Sequence, residues 1–242
     1  GVAGATGNNN LDVTGAAFGA TLSGQRMMCG LNEITRALML NYSNDIIDIY
    51  SNSWTYSNFY VGVGPLVKDS LEDDVQNGRG GLGNIIVFAA ANGLLDGSNS
   101  NYMDLQNSRY TIAVSAIDHT GVQSYYSEPG ANILVAAHSN GGLAGSEFPY
   151  TTYAGITTTD RTGSDGESSG DTYDNFGGTS SAAPLVTGII ALMLEANEDL
   201  TWRDVQHIIV NSARKNDPSD SSWTTNGAGH DVSHKYGFGA ID

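Results

Sequence analysis

The chain has 242 residues, 40% of them hydrophobic, and carries 10 lysines and arginines against 26 aspartates and glutamates, a formal net charge of -16. A chain of this size can bury one sizeable core, and its acidity argues against nucleic acid as a partner while suiting a solvated acidic surface or an acidic cleft for basic substrates. No stretch approaches the ~20 apolar residues of a membrane span, and the single cysteine, Cys29, excludes an internal disulfide and thiolate zinc clusters.

Taken in chain order, the opening "GVAGATGNNN" contains no basic segment and no signal-peptide core. Cys29, after "GQRMM", reads as a small core residue. A helix is expected over 32–42, "NEITRALMLNY", where Asn41-Tyr42-Ser43 is formally a glycosylation triplet. Four short runs, apolar on both faces and rich in Val and Ile, follow the pattern of buried parallel strands: 46–54, 84–92, 110–117 and 132–137. Between the first two, 64–79 reads as a helix with Pro65 at its first position. The Gly-rich polar stretch 155–178 reads as a loop. Helices are expected over 180–196 and 201–214, the second opened by Thr201 with Asp204 three positions on, a variant capping box. With no repeat and no linker, residues 1–242 form one α/β domain, a largely parallel β-sheet with helices on both faces.

The segment "GGTSSAAPLVTGIIALMLEAN" carries the chemistry. Gly177 and Gly178 allow a tight approach turn, and Ser180 falls in the first turn of the helix, beside free amides and the positive end of its dipole. Pro184 is expected in that first turn, where no intrahelical bond is lost. Ala182, Ala183, Gly188 and Ala191 are small enough to let the helix lie close to the sheet.

"GTSSAAP" resembles the nucleophile motif of the subtilisin-like serine proteases. "PLVTGIIALMLEANEDLTWRDVQHIIV" and "WTTNGAGHDVSHKYGFGAID" are similar to the kexin and proprotein convertase branch of that family. The resemblance implies a subtilisin-like fold and a secreted endopeptidase acting on polypeptide substrates. It places Ser180 as nucleophile and Asn92, in "FAAANG", as donor to the oxyanion. It places Ser53, Trp54 and Thr55 along extended substrate, and Ala89, Ala90 and Ala91 in the wall of the pocket before the scissile bond. "GNNNLDVTGAA" resembles the family's calcium loop, implying a structural calcium ion held by the Asn9 side chain and the carbonyls of Gly7, Leu11 and Val13.

A serine needs a histidine base oriented by a carboxylate, and in this family the order is Asp, His, Ser. No His-Gly-Thr occurs in the chain, so both partners are expected upstream of residue 1, in a domain incomplete at its N-terminus and inactive alone. His119, His138, His207, His230 and His234 read as structural or surface residues. A β-sandwich partner domain is expected beyond the C-terminus. Thr55 stands where the family has glycine and Asn58 near an expected acid, while Asp96 and Glu128 remain as acidic or calcium-binding groups. Cleavage after basic residues is therefore not implied. Two rivals stand beside this reading: a non-catalytic, calcium-stabilised binding module, and a hydrolase elbow at Gly166-Glu167-Ser168-Ser169-Gly170, which would require a strand before it and a helix after it.

Overall fold

Four apolar runs become the strands of one parallel sheet: β1 (Ile49–Asn52), β2 (Ile85–Ala89), β3 (Thr111–Ile117) and β4 (Ile133–His138), paired in that order. The computed structural model describes residues 1–26, 32–56, 62–141 and 154–242; Cys29 and Asn58 lie outside them. Successive β2 side chains alternate between two cores, as a strand covered on both faces requires. Ile85, Val87 and Ala89 pack with Ile112, Val114, Ala182, Ala183, Val186 and Ile190. Ile86 and Phe88 pack with Leu40, Tyr50, Val67 and Leu71 on the opposite side.

The helices that cover those faces are α1 (Glu33–Leu40), α2 (Pro65–Asn77), α3 (Thr179–Ala196) and α4 (Trp202–Ser212). Pro65 occupies the first position of α2. Thr201 and Asp204 form the reciprocal capping box on α4. The α3 helix, 18 residues long, is apolar enough by composition to cross a bilayer, closer to a span than the sequence suggests. It lies instead as a core helix against all four strands of the sheet.

Four readings of the sequence are corrected. Residues 155–178 are not all loop: β5 (Ile156–Thr159) and β6 (Thr172–Phe176) pair antiparallel, because the β-branched run Ile-Thr-Thr-Thr favours a strand even on a wet surface. Ser168 lies between these two strands and precedes no helix, which removes the hydrolase-elbow reading. Gly188 faces the chain's own beginning rather than the sheet. A Cβ there would come within 2.6 Å of the Ala16 Cβ and 2.9 Å of the Ala3 carbonyl. Pro184 is the sixth residue of α3, not part of its first turn.

The α1 and α2 helices meet through a polar contact of unusual burial. Asp74 is fully buried; its Oδ1 accepts from Asn41 Nδ2 at 2.8 Å, while its Oδ2 has no partner among the described residues. Burial pushes its carboxyl from 3.8 up to about 7, against the opposing pull of the Asn41 and Asn44 amides. Below the unfolded value both states hold the proton; between that value and about 7 only the folded state does. Stability is therefore expected to fall by about 2–4 kcal/mol as pH rises through this window, and to be flat above it. Urea unfolding of wild type and Asp74→Asn from pH 4 to 8 checks this: the difference between them should grow in favour of the variant up to about pH 7. A pH-independent difference would contradict it.

Candidate active site

The β2 strand delivers the chain to Ala90, Ala91 and Asn92, and the first residues of α3 meet it there. Thr179 is fully buried and makes the connection three times. Its amide donates to Asn92 Oδ1 at 2.8 Å, its hydroxyl donates to the same atom at 2.9 Å, and that hydroxyl accepts from the Ala91 amide at 3.1 Å. Ala91 sits at φ 84, a conformation that costs a non-glycine residue of order 1–2 kcal/mol. Because both Thr179 donors address Oδ1, the orientation of the Asn92 amide is fixed by its partners and Nδ2 is the donor left over.

Ser180 follows immediately, half-buried, as the second residue of α3. The Thr179 amide is committed to Asn92 and the Ser181 amide to the Gly178 carbonyl at 3.1 Å, so the Ser180 amide is a first-turn donor with no intrahelical acceptor. Gly178 precedes them at φ 75, and a Cβ there would lie 3.2 Å from Asn92 Nδ2, so a side chain would both strain the turn and crowd the amide. The same Cβ would lie 3.5 Å from the Ser180 amide nitrogen, so the Ser180 amide and Asn92 Nδ2 flank the same turn at the positive end of a long helix.

Pro184 acquires a purpose from its position. It has no N–H to offer the Ser180 carbonyl four residues earlier, and that carbonyl accepts instead from Ser53 Oγ at 3.0 Å. The missing helical bond thus ties the segment after β1 to Ser180. Trp54, next in the chain, donates Nε1 to Asn52 Oδ1 at 3.0 Å and packs edge-on to Phe88, ring centroids 5.4 Å apart. Thr55 is exposed, whereas Ala89, Ala90 and Ala91 are all buried.

A second ring of polar groups, not foreseen from the sequence, holds the Gly177–Gly178 turn. Asn140 Oδ1 accepts from the Gly178 amide at 3.0 Å, and Ser139 Oγ donates to the Gly178 carbonyl at 2.8 Å. Tyr126 OH lies 2.7 Å from both Ser139 Oγ and Asn140 Oδ1, and Ser181 Oγ lies 2.7 Å from Ser139 Oγ. Burial raises the Tyr126 hydroxyl, keeping it neutral. Glu128 braces the other side: its Oε1 accepts from the Gly93 amide at 2.9 Å and its own amide donates to the Ala91 carbonyl at 3.1 Å. Its Oε2 is buried without a partner among the described residues, and burial raises its carboxyl. Asp96 is exposed. The only sequence signal for this brace is a run of polar residues, "HSN", that begins at the last residue of a buried strand.

The histidines are built into other parts of the fold. His138 Nδ1 is 2.8 Å from the Asp118 carbonyl, His230 meets the Phe238 ring edge-on, His207 lies on α4, and His119 and His234 lie in turns. Two shallow grooves along α4, lined by residues including Arg203, His207 and His230, contain no residue of the Ser180 corner.

The loop 7–13 coils through Asn8 and Asn10, both left-handed at φ 58 and 59. Asn9 Oδ1 accepts from the Leu11 amide at 3.1 Å, keeping one lone pair. Among the described residues, the carbonyls of Gly7, Leu11 and Val13 accept no backbone hydrogen bond. Neutral oxygens left open on a tight coil fit a hard cation. Among the described residues no cluster of three His, Cys, Asp or Glu suited to a metal exists.

A family model described as the subtilase family (Peptidase S8) matches residues 1–239. Proprotein convertase subtilisin/kexin type 6 from Rattus norvegicus is 39% identical over 98% of this chain, and type 4 from Homo sapiens is 37% identical over the same share. The chain spans 24% of the length of the first and 30% of the second. Among solved structures, proteases from Pseudoalteromonas arctica align over 100% of this chain and 66% of theirs with a TM-score of 0.74 at 23% identity. The serine protease of Aeromonas sobria, in complex with its chaperone, aligns over 87% of this chain and 44% of its own, also with a TM-score of 0.74 and 23% identity. At such identities these two likenesses speak for the fold.

Proposed function

The chain belongs to the subtilase family, and on that premise we propose that it is the nucleophile-bearing part of a serine endopeptidase domain of the kexin-like branch. The observation that supports the reading is that the Ser180 amide and Asn92 Nδ2 flank the same Gly178 turn, directly before the residue that bears the hydroxyl. Ser180 Oγ attacks the peptide carbonyl, and the developing oxyanion takes hydrogen bonds from the Ser180 amide and Asn92. Both donors are oriented before substrate arrives, so little reorganisation is needed at the moment of reaction. The base that takes the Ser180 proton and returns it to the leaving amine, with its carboxylate partner, is supplied from outside these 242 residues.

Ser53, Trp54 and Thr55 run beside extended substrate, and the Ala89–Ala91 segment forms a wall of the pocket before the scissile bond. The anchoring of Ser53 on the Ser180 carbonyl supports this, since it fixes the substrate track relative to the nucleophile. We place the protein in the secretory route, with a β-sandwich partner domain following. Asn9, Gly7, Leu11 and Val13 would hold calcium, which supplies structural cross-linking of the loop and no chemistry.

Loss of one oxyanion donor costs about 10²–10³ in turnover, a magnitude measured on subtilisin, the enzyme that gives this family its name. In the full-length chain, Ser180→Ala is therefore expected to abolish hydrolysis of a fluorogenic peptide, and Asn92→Ala to lower kcat by about 10²–10³ with KM nearly unchanged. The 242 residues alone should show no turnover. Hydrolysis by that piece, or by full-length Ser180→Ala, would sink the assignment; a full-length chain that binds peptides without cleaving them would establish the binding-module alternative. Calcium is expected to raise the thermal midpoint of wild type but not of Asn9→Ala, read by calorimetry. Equal rises in both would remove Asn9 as a ligand.

A further inference from the structure

We propose that Asn140 is a positioning residue for the Ser180 chemistry: its side-chain carbonyl, locked by the Tyr126 hydroxyl, sets the glycine turn that the two oxyanion donors flank. This rests on the endopeptidase reading above and concerns what keeps that site in register.

Gly178 is the loosest joint of the site. It sits at φ 75 and ψ 171, and without a Cβ nothing of its own restricts rotation of its backbone. Two consecutive residues directly after β4 supply the restriction. Asn140 Oδ1 accepts from the Gly178 amide at 3.0 Å, and Ser139 Oγ donates to the Gly178 carbonyl at 2.8 Å, so the peptide units on both sides of the glycine are gripped. The second of those units also carries the Thr179 amide, which donates to Asn92 Oδ1 at 2.8 Å. A rotation at Gly178 would therefore pull the Thr179 amide from Asn92 and re-aim the Ser180 amide one residue on.

Asn140 is itself held in one orientation. Its Oδ1 also accepts from Tyr126 OH at 2.7 Å, which fills both lone pairs of that oxygen; turning the carboxamide over would set its NH2 against two donors. Tyr126 is 6% exposed, packs in the main core with Val135, Ala137 and Ala182, and meets the Tyr125 ring edge-on. The turn lies directly on the carboxamide, since a Cβ at Gly177 would overlap Asn140 Oδ1. Asn140 is only half-buried, so in its absence water can satisfy the Gly178 amide without fixing its direction. What Asn140 contributes is aim, and its loss should register in the transition state before it registers in the fold.

The test measures full-length wild type, Asn140→Ala, Tyr126→Phe and the double variant on one fluorogenic peptide. A misaimed oxyanion donor weakens the transition state and leaves bound substrate alone. Asn140→Ala should therefore lower kcat about 10- to 100-fold with KM changed less than about twofold, and a peptide boronate should bind it more weakly by the factor lost in kcat/KM. Tyr126→Phe should lower kcat about three- to tenfold. The double variant should lose much less than the product of the two single losses, because the hydroxyl acts through the carboxamide. Unchanged kcat in Asn140→Ala, a loss confined to KM, unaltered boronate binding, or losses that multiply in the double variant would each overturn the inference. Tyr126→Phe removes one hydroxyl and keeps the core ring, so it decides the matter where Asn140→Ala fails to fold: its kcat must fall at unchanged KM. No cleavage by wild type would instead remove the endopeptidase reading, and this inference with it.

Discussion

Everything at the candidate site hangs on one buried threonine. Thr179 ties the end of a central strand to the start of a long helix through three hydrogen bonds, and because two of them take Asn92 Oδ1, its Nδ2 is the end left to donate. Without them Ala91 would keep only the Glu128 amide on its carbonyl to hold it at positive φ, and the Asn92 side chain would be free to turn over. The strain is carried by a buried residue whose amide and carbonyl are both hydrogen-bonded, to the Thr179 hydroxyl and the Glu128 amide, so its backbone is over-determined.

The surrounding fold amplifies that constraint. The α3 helix lies against all four strands and is covered on another side by the Ala3 and Ala16 segment at Gly188, so its N-terminus is not free to shift. The Tyr126, Ser139 and Asn140 hydroxyl and amide groups fix the glycine turn from below. Pro184 converts a lost helical bond into an external contact, because the carbonyl it leaves unpaired is taken by Ser53. A feature that would ordinarily weaken a helix here aligns a second strand with the reactive corner.

Much of the frame was legible in the residues. Ile-rich and Val-rich runs marked all four sheet strands, since a strand buried on both faces leaves a continuous apolar signature. Thr201 with Asp204 and Pro65 marked helix starts through local chemistry alone. The β5–β6 hairpin was hidden because its side chains are mostly polar and partly wet, so hydrophobic periodicity had nothing to report. The bracing residues were hidden for a different reason: Tyr126, Asn140 and Gly178 are far apart in the chain, and a long-range hydrogen bond has no sequence period. Gly188 was read as a helix-to-sheet contact because its small size is visible in sequence, whereas the direction it faces is set by the N-terminal segment.

The account stands on the Ser180 amide and Asn92 Nδ2 gripping the same substrate oxygen. A crystal structure of the full-length protein with a peptide boronate bonded to Ser180 tests that directly, because the tetrahedral boron presents an oxygen where the oxyanion forms. We expect that oxygen at about 2.7–3.1 Å from both nitrogens. A boronate oxygen turned to solvent, with Asn92 Nδ2 beyond hydrogen-bonding reach, would contradict the account.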